Sequence, residues 1–294
     1  MSGNRYNALT AGPEDGPLVL MLHGWPEFAD SWTSQLVGLA TLGYQAVAVD
    51  QRGYSPEVRP LAVGDYGIEV LAQDAMGFAE AFTSDKFHLV GQDWGGAVAW
   101  KLAELAPEKL HSLAVLSCPH PEALRVEALL DRDQYERLDY MRFFREQTGT
   151  PEKLLLSRHA HRLKALYGSR MPEEQVHRNV ARLTEPGVLT ATLNWYRAMR
   201  PDVSIEVGPV TPRVLHVWGT EDRALGRAAV DRSVHYVRGA YRLEVIEGQG
   251  HWLSTEIPER ITALLREHLD SPEFWSNDAH ARVASAAPRC EFYG

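Results

Sequence analysis

The stretch LVGQDWGGAVAW, Leu89 to Trp100, decides the fold prediction, because an apolar run leads into a glycine-flanked acid and then into a helical pattern. A small residue two positions before and two positions after Asp93 is typical of a tight turn between a β-strand and an α-helix. Such a turn would display the Asp93 carboxylate at the end of the strand, where the helix N-terminus favours negative charge. Taken alone, the same residues also fit a helix cap beside packing glycines.

Short apolar runs alternate with helical patterns on both sides of this turn. The predicted strands are Pro17–Gly24, Tyr44–Gly53, Lys86–Asp93, Leu110–Pro119, Pro212–Gly219 and Tyr241–Gly248. The predicted helices are Phe28–Leu42, Ile68–Phe82, Gly95–Leu105, Gly226–Val237 and Pro258–Leu269. Nearly continuous Val, Leu and Ala runs indicate strands that are covered on both faces. The sequence therefore predicts an α/β fold with a mostly parallel central sheet flanked by helices.

The alternation stops between Pro121 and about Pro209, where the pattern is almost wholly helical. We interpret this segment as a helical cap that is inserted above the carboxyl ends of the strands, where ligands bind in open α/β sheets. The prediction divides the chain into an α/β core (1–120), a cap (121–209), the rest of the core (210–270) and a C-terminal tail (271–294).

Composition narrows the classes of partner. The net charge of −9 argues against a nucleic-acid partner, which requires a basic face. The two cysteines indicate neither a disulfide framework nor a zinc cluster. No stretch has the apolar length of a signal peptide or of a membrane span. We therefore expect a cytoplasmic protein that does not bind a membrane and needs no cofactor or metal, and we leave open whether it forms a homodimer.

The segment LHGWPE, Leu22–Glu27, ends the first predicted strand. A turn here can aim backbone N–H groups at the space in front of Asp93, and an oxyanion hole of this type takes its second donor from the residue after the nucleophile. The two donors would be Trp25 and Trp94. A simple strand-ending turn is the alternative for this segment alone.

A histidine and an acid follow later strands. His251 lies in GQGHWL after the last predicted strand, and it stands out among 12 histidines by this position. Glu221 and Asp222 follow the preceding strand, and we choose Asp222 as the residue that orients the imidazole. The chain order nucleophile, acid, histidine is the order that belongs to this fold.

At this point the sequence resembles the α/β-hydrolase superfamily and, within it, the epoxide hydrolase family, from about residue 16 to residue 269. The motifs that carry the resemblance are HGWPE, DQRGYS, GQDWGG, PHP (119–121), LNWYR (193–197) and GHW (250–252). The resemblance implies a pair of cap tyrosines. Tyr196 in LNWYR matches one of them, and we take Tyr140 as its partner, with Tyr135 as the fallback. Aromatic packing in the cap is the alternative for all three.

The chemistry follows from placing a carboxylate where many hydrolases place a serine. A carboxylate is already charged at neutral pH, since its usual pKa is about 3.9. It can attack a saturated carbon without a base, which leaves the histidine free to activate water in a second step. The resemblance implies hydrolysis of an epoxide to a vicinal diol through an ester on Asp93, with Tyr140 and Tyr196 holding the epoxide oxygen.

Two other functions compete with this prediction. A haloalkane-type dehalogenase would use the same Asp–His–Asp set, and a non-catalytic ligand receptor would retain the fold with a broken triad. The tyrosine pair favours the epoxide, because an alkoxide needs a proton and a halide does not. We expect a small apolar epoxide as substrate. The residues expected to line its pocket are His23, Pro26, Phe144, Trp195 and Trp252.

Overall fold

The computed structural model describes residues 4–83, 85–200 and 204–270. The predicted tail (271–294) lies outside the described residues. Within them the chain forms a seven-stranded sheet in the order β1-β3-β2-β4-β5-β6-β7. The strands are β1 (Ala8–Ala11), β2 (Leu18–Leu22), β3 (Gln45–Val49), β4 (Phe87–Gln92), β5 (Leu110–Leu116), β6 (Val214–Gly219) and β7 (Tyr241–Ile246). Strands β2 to β7 pair in parallel, as the apolar runs predicted.

The continuous apolar runs are explained by burial on both faces of the sheet. All five residues of β2 are buried. Leu18, Leu20 and Leu22 pack into one core cluster, while Val19 and Met21 pack into the cluster on the opposite face. Successive side chains of a strand point to opposite faces, so a central strand between two helical layers needs apolar residues at every position.

Helices cover both faces of this sheet. In the first part of the chain they are α1 (Thr33–Ala40), α2 (Ile68–Glu80) and α3 (Trp94–Leu105), and in the last part α10 (Arg227–Arg232), α11 (Leu253–Glu256) and α12 (Pro258–Asp270). Short 3-10 helices span Ala29–Trp32, Val63–Tyr66, Pro107–Lys109 and Ser233–Tyr236. The ends of the predicted helices Phe28–Leu42 and Gly226–Val237 were wrong, because a 3-10 turn adjoins the α-helix in each case.

A helical segment connects β5 to β6. It contains α4 (Pro121–Leu130), α5 (Arg132–Arg137), α6 (Tyr140–Phe144), α7 (Thr150–Ala165), α8 (Glu173–Leu183) and α9 (Val188–Arg197). Helix α7 is interrupted at residues 157–160 by non-helical backbone angles. Arg182 of α8 forms an ion pair with Asp50, and the Tyr167 hydroxyl donates to the Pro26 carbonyl at 2.6 Å. These contacts join the helical segment to loops that follow the carboxyl ends of β3 and β2.

Strand β1 was not predicted from the sequence. It pairs antiparallel with β3 at the edge of the sheet, with Ala8 opposite Val49. It has four residues and is largely exposed, so it lacks the apolar run by which the other strands were recognised. In the described part of the chain, no helix combines the length and the apolar character that crossing a membrane requires.

Candidate active site

The Asp93 turn joins β4 directly to α3. Asp93 has φ 51° and ψ −122°, a backbone conformation that is unfavourable for a residue with a Cβ. Its carboxylate forms no capping hydrogen bond with the first turn of α3. The helix-cap alternative therefore does not describe this residue, and the strained turn instead holds the carboxylate away from its own helix.

The glycines around Asp93 are required by close backbone approach. A Cβ on Gly91 would lie 2.3 Å from the Gly95 carbonyl oxygen, and a Cβ on Gly95 would lie 2.2 Å from the Leu22 carbonyl oxygen. On the facing loop, a Cβ on Gly24 would lie 2.6 Å from the Asp93 Cβ. Strand β2, the turn and α3 therefore reach this packing only with glycine at the three positions.

His251 lies between two carboxylates. Its Nε2 is 3.2 Å from Asp93 Oδ2, and its Nδ1 is 2.7 Å from Asp222 Oδ2. The second Asp222 oxygen accepts the backbone N–H groups of Ala224 at 2.8 Å and Leu225 at 3.1 Å. Asp222 is thus held at both oxygens and presents one of them to the imidazole. The structure brings together the three residues that the sequence had named as nucleophile, base and orienting acid.

The charge balance at His251 favours the protonated imidazole in this state. Burial opposes the charged ring, but the negative charges of Asp222 and Asp93, with their hydrogen bonds, outweigh it and raise the pKa of His251 well above its usual 6.5. Both carboxylates therefore contribute to holding a proton on His251, and removal of either charge would lower its pKa.

The Trp25 backbone N–H donates to Asp93 Oδ1 at 2.9 Å. This contact places one predicted oxyanion donor on the carboxylate oxygen that does not face His251. The Trp94 N–H belongs to the first turn of α3, and no hydrogen bond from it to the Asp93 carboxylate is present among the described contacts. Its role as the second donor stays a prediction.

The tyrosine pair lies in an aromatic cage. Tyr196 has its ring centroid 5.4 Å from that of Trp25, 5.1 Å from those of Trp94 and Phe144, and 6.2 Å from that of Tyr140. Burial raises the pKa of Tyr196 well above 10, and the nearby Tyr140 and the Asp93 charge add to this rise. Both features favour a neutral phenol that can donate a hydrogen bond.

Of the two candidates for the first cap tyrosine, Tyr140 is the one whose ring lies beside that of Tyr196. Burial, with the charges of Asp93 and Asp222, raises the pKa of Tyr140 above 10, and an interaction with the Tyr196 hydroxyl partly opposes the rise. The Tyr135 side chain is 48% exposed, and its hydroxyl accepts a hydrogen bond from Arg142. The geometry therefore supports Tyr140 as the partner of Tyr196.

Two cavities meet at Asp93 and share Asp93, Tyr140 and Ala224 in their walls. The first has a volume of about 290 Å³, and its wall includes His251 and Tyr196. The second has a volume of about 150 Å³ and a mainly apolar wall. Of the predicted pocket residues, Phe144 and Trp252 line the first cavity, together with Trp25.

Three predicted pocket residues lie elsewhere. The His23 ring is buried, bonds to the Gly24 carbonyl and the Gln51 N–H, and lines neither cavity at Asp93. Pro26 is also absent from both walls, and its carbonyl accepts the hydrogen bond of the Tyr167 hydroxyl. Trp195 lines a separate cavity behind Trp94. None of the three lines either cavity at Asp93, and their contact with a substrate stays a prediction.

Several polar residues near the site were not named from the sequence. Glu27 is fully buried and accepts the Gln92 side-chain amide at 3.1 Å. Burial, partly offset by the nearby His251 and reinforced by Asp93, raises the pKa of Glu27 to about 8. Ser117 donates to the His251 carbonyl at 2.8 Å. Glu27 belongs to the HGWPE motif, but nothing in the sequence signalled that its carboxyl group is buried.

Comparisons with known proteins agree with this architecture. The family model of the alpha/beta hydrolase fold matches residues 17–256. The chain is 36% identical over 275 residues to the AB hydrolase superfamily protein YfhM of Bacillus subtilis, with 91% of this chain and 95% of that protein covered. It is 32% identical over 278 residues to Epoxide hydrolase 3 of Xenopus tropicalis, with 91% of this chain and 75% of that protein covered.

A solved structure extends the likeness to the whole fold. The crystal structure of Epoxide Hydrolase A from Mycobacterium thermoresistibile has a TM-score of 0.79 to this chain at 27% identity. The match covers 92% of this chain and 96% of that one. The chain therefore belongs to the α/β-hydrolase superfamily and, within it, to the epoxide hydrolase family.

Proposed function

We propose that this protein hydrolyses an epoxide to a vicinal diol through a covalent hydroxyalkyl ester on Asp93. The observation that carries the proposal is the position of the Asp93 carboxylate. One of its oxygens accepts the Trp25 N–H, the other lies 3.2 Å from His251 Nε2, and two neutral phenols stand in the same cavity. The epoxide hydrolase names of the Xenopus and Mycobacterium relatives support the same reaction.

In the first step, Asp93 Oδ2 attacks one carbon of the epoxide and forms the ester bond. The ring C–O bond breaks at that carbon, and its electron pair stays on the oxygen. Tyr140 or Tyr196 donates the proton that turns this oxygen into a hydroxyl. A neutral phenol is the suitable donor here, because burial raises the pKa of both tyrosines and keeps them protonated until the alkoxide develops.

In the second step, His251 takes a proton from water, and the resulting hydroxide attacks the ester carbonyl of Asp93. The Trp25 N–H stabilises the negative charge on the carbonyl oxygen. The intermediate then releases the alkoxide of the substrate, which takes the proton from His251 and leaves as the diol. Asp93 is left as the acid, and its proton restores the phenol that was ionised in the first step.

The order of the two steps follows from the charges around His251. The charge of Asp93 and its hydrogen bond help to raise the pKa of the imidazole. Forming the ester neutralises Asp93, so this contribution disappears, the pKa of His251 falls and the ring can release its proton to solvent. His251 is thus available as an unprotonated base only after the ester exists, which is when a water molecule has to be activated.

The rival dehalogenase reaction is less well supported. A departing halide is best held by indole N–H groups, but the Trp25 indole N–H donates to the Thr192 hydroxyl at 3.3 Å. The Trp94 indole hydrogen-bonds with the Tyr196 hydroxyl, which only partly offsets the rise in the pKa of that phenol caused by burial. The receptor alternative predicts a broken triad, whereas the Asp93–His251–Asp222 contacts are continuous.

The apolar cavity limits the size and polarity of the group that the epoxide can carry. Its volume of about 150 Å³ is that of an apolar protein cavity that can bind a molecule of about the size of benzene. Leu138, Met141 and Leu225 are among its apolar wall residues. We therefore propose a small apolar substituent on the epoxide carbon that faces this cavity. We also propose the division into a core (1–120 and 210–270) and a cap (121–209). The cytoplasmic location stays a prediction, and the question of a homodimer stays open.

A labelling experiment tests the proposal. Wild-type protein is mixed in molar excess with styrene oxide in ¹⁸O-water, and both the diol and the Asp93 peptide are analysed by mass spectrometry. We expect label in Asp93 after one turnover, because water attacks the ester carbonyl rather than the substrate carbon. Label found only in the diol would refute the ester. Halide release from 1-bromobutane without diol formation would favour the dehalogenase, and no reaction with either compound would favour the receptor.

Replacement of the imidazole provides a second test. His251→Gln should still form the ester, since the nucleophile needs no base, and should hydrolyse it about 10²–10⁴-fold more slowly. The intact mass of the variant should therefore increase by one substrate. The exposed His177 on α8 is the matched control, and His177→Gln should turn over normally without accumulating the adduct. Absence of an adduct on folded His251→Gln would contradict the mechanism.

A further inference from the structure

A buried glutamine of the helical segment holds the loop that carries Asp222. Gln134 lies in α5 and is fully buried. Its Nε2 donates to the Ala224 carbonyl at 3.0 Å, and its Oε1 accepts the Gly226 N–H at 2.8 Å. Both the nitrogen and the oxygen of this side-chain amide therefore form hydrogen bonds with the backbone of the loop that follows β6.

The contacts of Gln134 and of Asp222 meet on the same peptide unit. The Ala224 carbonyl, which Gln134 holds, and the Leu225 N–H, which donates to Asp222 Oδ1 at 3.1 Å, belong to one planar peptide group. A rigid plane that is held at both ends transmits a displacement from one end to the other. The Gln134 amide therefore sets the direction from which Asp222 receives this hydrogen bond.

The next peptide unit is held in the same way. The Gly226 N–H donates to Gln134, while the Leu225 carbonyl of that unit accepts the Trp218 indole N–H at 3.1 Å. The neighbouring Arg137 of α5 donates to the Asp222 carbonyl at 2.6 Å. The loop thus has its backbone groups paired with α5 and with Trp218, so its conformation depends on where α5 lies.

We propose that Gln134 is a positioning residue for Asp222 and thereby for hydrolysis of the ester. This inference rests on the proposed function. Asp222 acts only through His251, whose Nδ1 lies 2.7 Å from Asp222 Oδ2. Attack on the epoxide needs the Asp93 carboxylate and the tyrosine pair but no base, whereas hydrolysis needs an imidazole in the correct orientation and tautomer. Gln134 therefore serves the second step and not the first.

The direct test is Gln134→Met, which keeps an unbranched side chain of similar length and removes both hydrogen bonds. The formation and decay of the ester are followed separately by stopped-flow tryptophan fluorescence and by quenched-flow mass spectrometry. We expect ester formation to stay within about twofold of the wild type, and ester hydrolysis to slow by roughly 10–100-fold, as small misplacements of catalytic groups do.

A pH profile separates positioning from a general loss of rigidity. Asp222 contributes to the raised pKa of His251, so a displaced Asp222 should lower that pKa. The rise of the hydrolysis rate with pH should therefore move to lower pH in Gln134→Met. A helical cap that has only become less rigid would change the rate of ester hydrolysis without shifting its pH profile.

Gln175 provides the matched control. It is a buried glutamine of α8 whose amide donates to Asp30 and Asn179, both at 3.2 Å, and it contacts neither Asp222 nor His251. Gln175→Met should leave both steps and the pH profile unchanged. If Gln134→Met does not fold, Gln134→Asn keeps an amide of shorter reach, and it should show the same selective loss to a smaller extent.

The outcomes distinguish this inference from the function on which it rests. If the wild type forms no ester and no diol, the proposed function fails. If the wild type turns over and folded Gln134 variants behave like Gln175→Met, only the positioning role of Gln134 fails. Equal slowing of ester formation and hydrolysis would also overturn it, because the effect would then reach Tyr140 through α5 and α6 rather than Asp222 through its loop.

Discussion

The tyrosine pair provides the sharpest prediction about the first chemical step. Tyr140→Phe and Tyr196→Phe each remove one hydroxyl and keep the ring that packs in the cap. Tyr196 is 1% exposed, and its ring is surrounded by those of Trp25, Trp94 and Phe144. Little rearrangement is therefore expected, so the rate change should report the loss of the proton donor itself.

The magnitude follows from the hydrogen bond that each phenol would donate to the developing alkoxide. Hydrogen bonds to charged groups contribute about 1.5–3 kcal/mol. At about 1.4 kcal/mol for each tenfold in rate, one phenol corresponds to roughly 10–150-fold in ester formation. The double variant loses general acid catalysis altogether and should slow by about 10²–10⁴-fold. Tyr196 is buried among aromatic rings, where no water can replace the lost donor, so the loss in rate for Tyr196→Phe should lie towards the upper end of the 10–150-fold range.

Pre-steady-state fluorescence with trans-stilbene oxide measures this effect on each step. The quench on ester formation should slow in both single variants, whereas hydrolysis of any ester that has formed should stay within about threefold, since His251 and Asp222 are unchanged. Tyr135→Phe is the comparison. Its ring lines the apolar cavity, but its hydroxyl accepts a hydrogen bond from Arg142 and the residue is 48% exposed, so removal of that hydroxyl should leave ester formation at the wild-type rate.

Two results would refute the reasoning. One is a folded double variant that forms the ester at the wild-type rate, which would show that the alkoxide receives its proton from another donor. The other is slowing of ester formation in Tyr135→Phe to the same extent as in Tyr140→Phe. That outcome would move the first cap tyrosine to the alternative position that the sequence had left open.

Three further predictions concern stability. Burial raises the pKa of Glu27 to about 8, so the contribution of this carboxyl to the free energy of unfolding is full below its unfolded pKa of 4.5 and is lost as pH rises through 8. In urea titrations between pH 5 and 8, the free energy of unfolding of the wild type should fall by about 1.4 kcal/mol per pH unit relative to that of Glu27→Gln. The same pH dependence in both proteins would contradict this. Gly95→Ala should not yield soluble folded protein in an expression and circular dichroism assay, because its Cβ would lie 2.2 Å from the Leu22 carbonyl oxygen; a stable variant would contradict the required close approach. Arg182→Met leaves the buried Asp50 carboxylate without its cation and should lower the free energy of unfolding by about 1–3 kcal/mol. An unchanged urea midpoint would show that the ion pair has no net effect on stability.

Prediction from the sequence succeeded where the signal is local. The strands β2 to β6 were recognised because each is buried almost throughout and is therefore largely apolar. Strand β7 was recognised as well, although most of its residues are only half-buried. The turn at Asp93 was recognised because its geometry admits only glycine at neighbouring positions such as Gly91 and Gly95. Strand β1 gave no such signal, since it lies exposed at the sheet edge and is held by backbone hydrogen bonds that most residue types can make.

Prediction from the sequence did not reach the direction in which individual side chains point. His23 and Trp195 lie in or beside motifs near the site, and in the structure the His23 ring packs against Tyr54 and the Trp195 ring against Tyr54 and Trp94. Membership of a motif places a residue near the cavity. Whether its side chain lines the wall depends on how the surrounding side chains are packed, which no local pattern encodes.

The sequence by itself determined the order of the strands along the chain, the turn that exposes Asp93, and the residue types that could act with it. The tertiary structure alone decided that Asp93, His251 and Asp222 are in contact, that Tyr140 rather than Tyr135 lies beside Tyr196, and that Gln134 holds the Asp222 loop. The physical reason is distance along the chain: 158 residues separate Asp93 from His251, and 29 separate Asp222 from His251. Turn chemistry and apolar periodicity act over a few residues, whereas contacts across such separations exist only after the sheet has brought the carboxyl ends of β4, β6 and β7 to one edge.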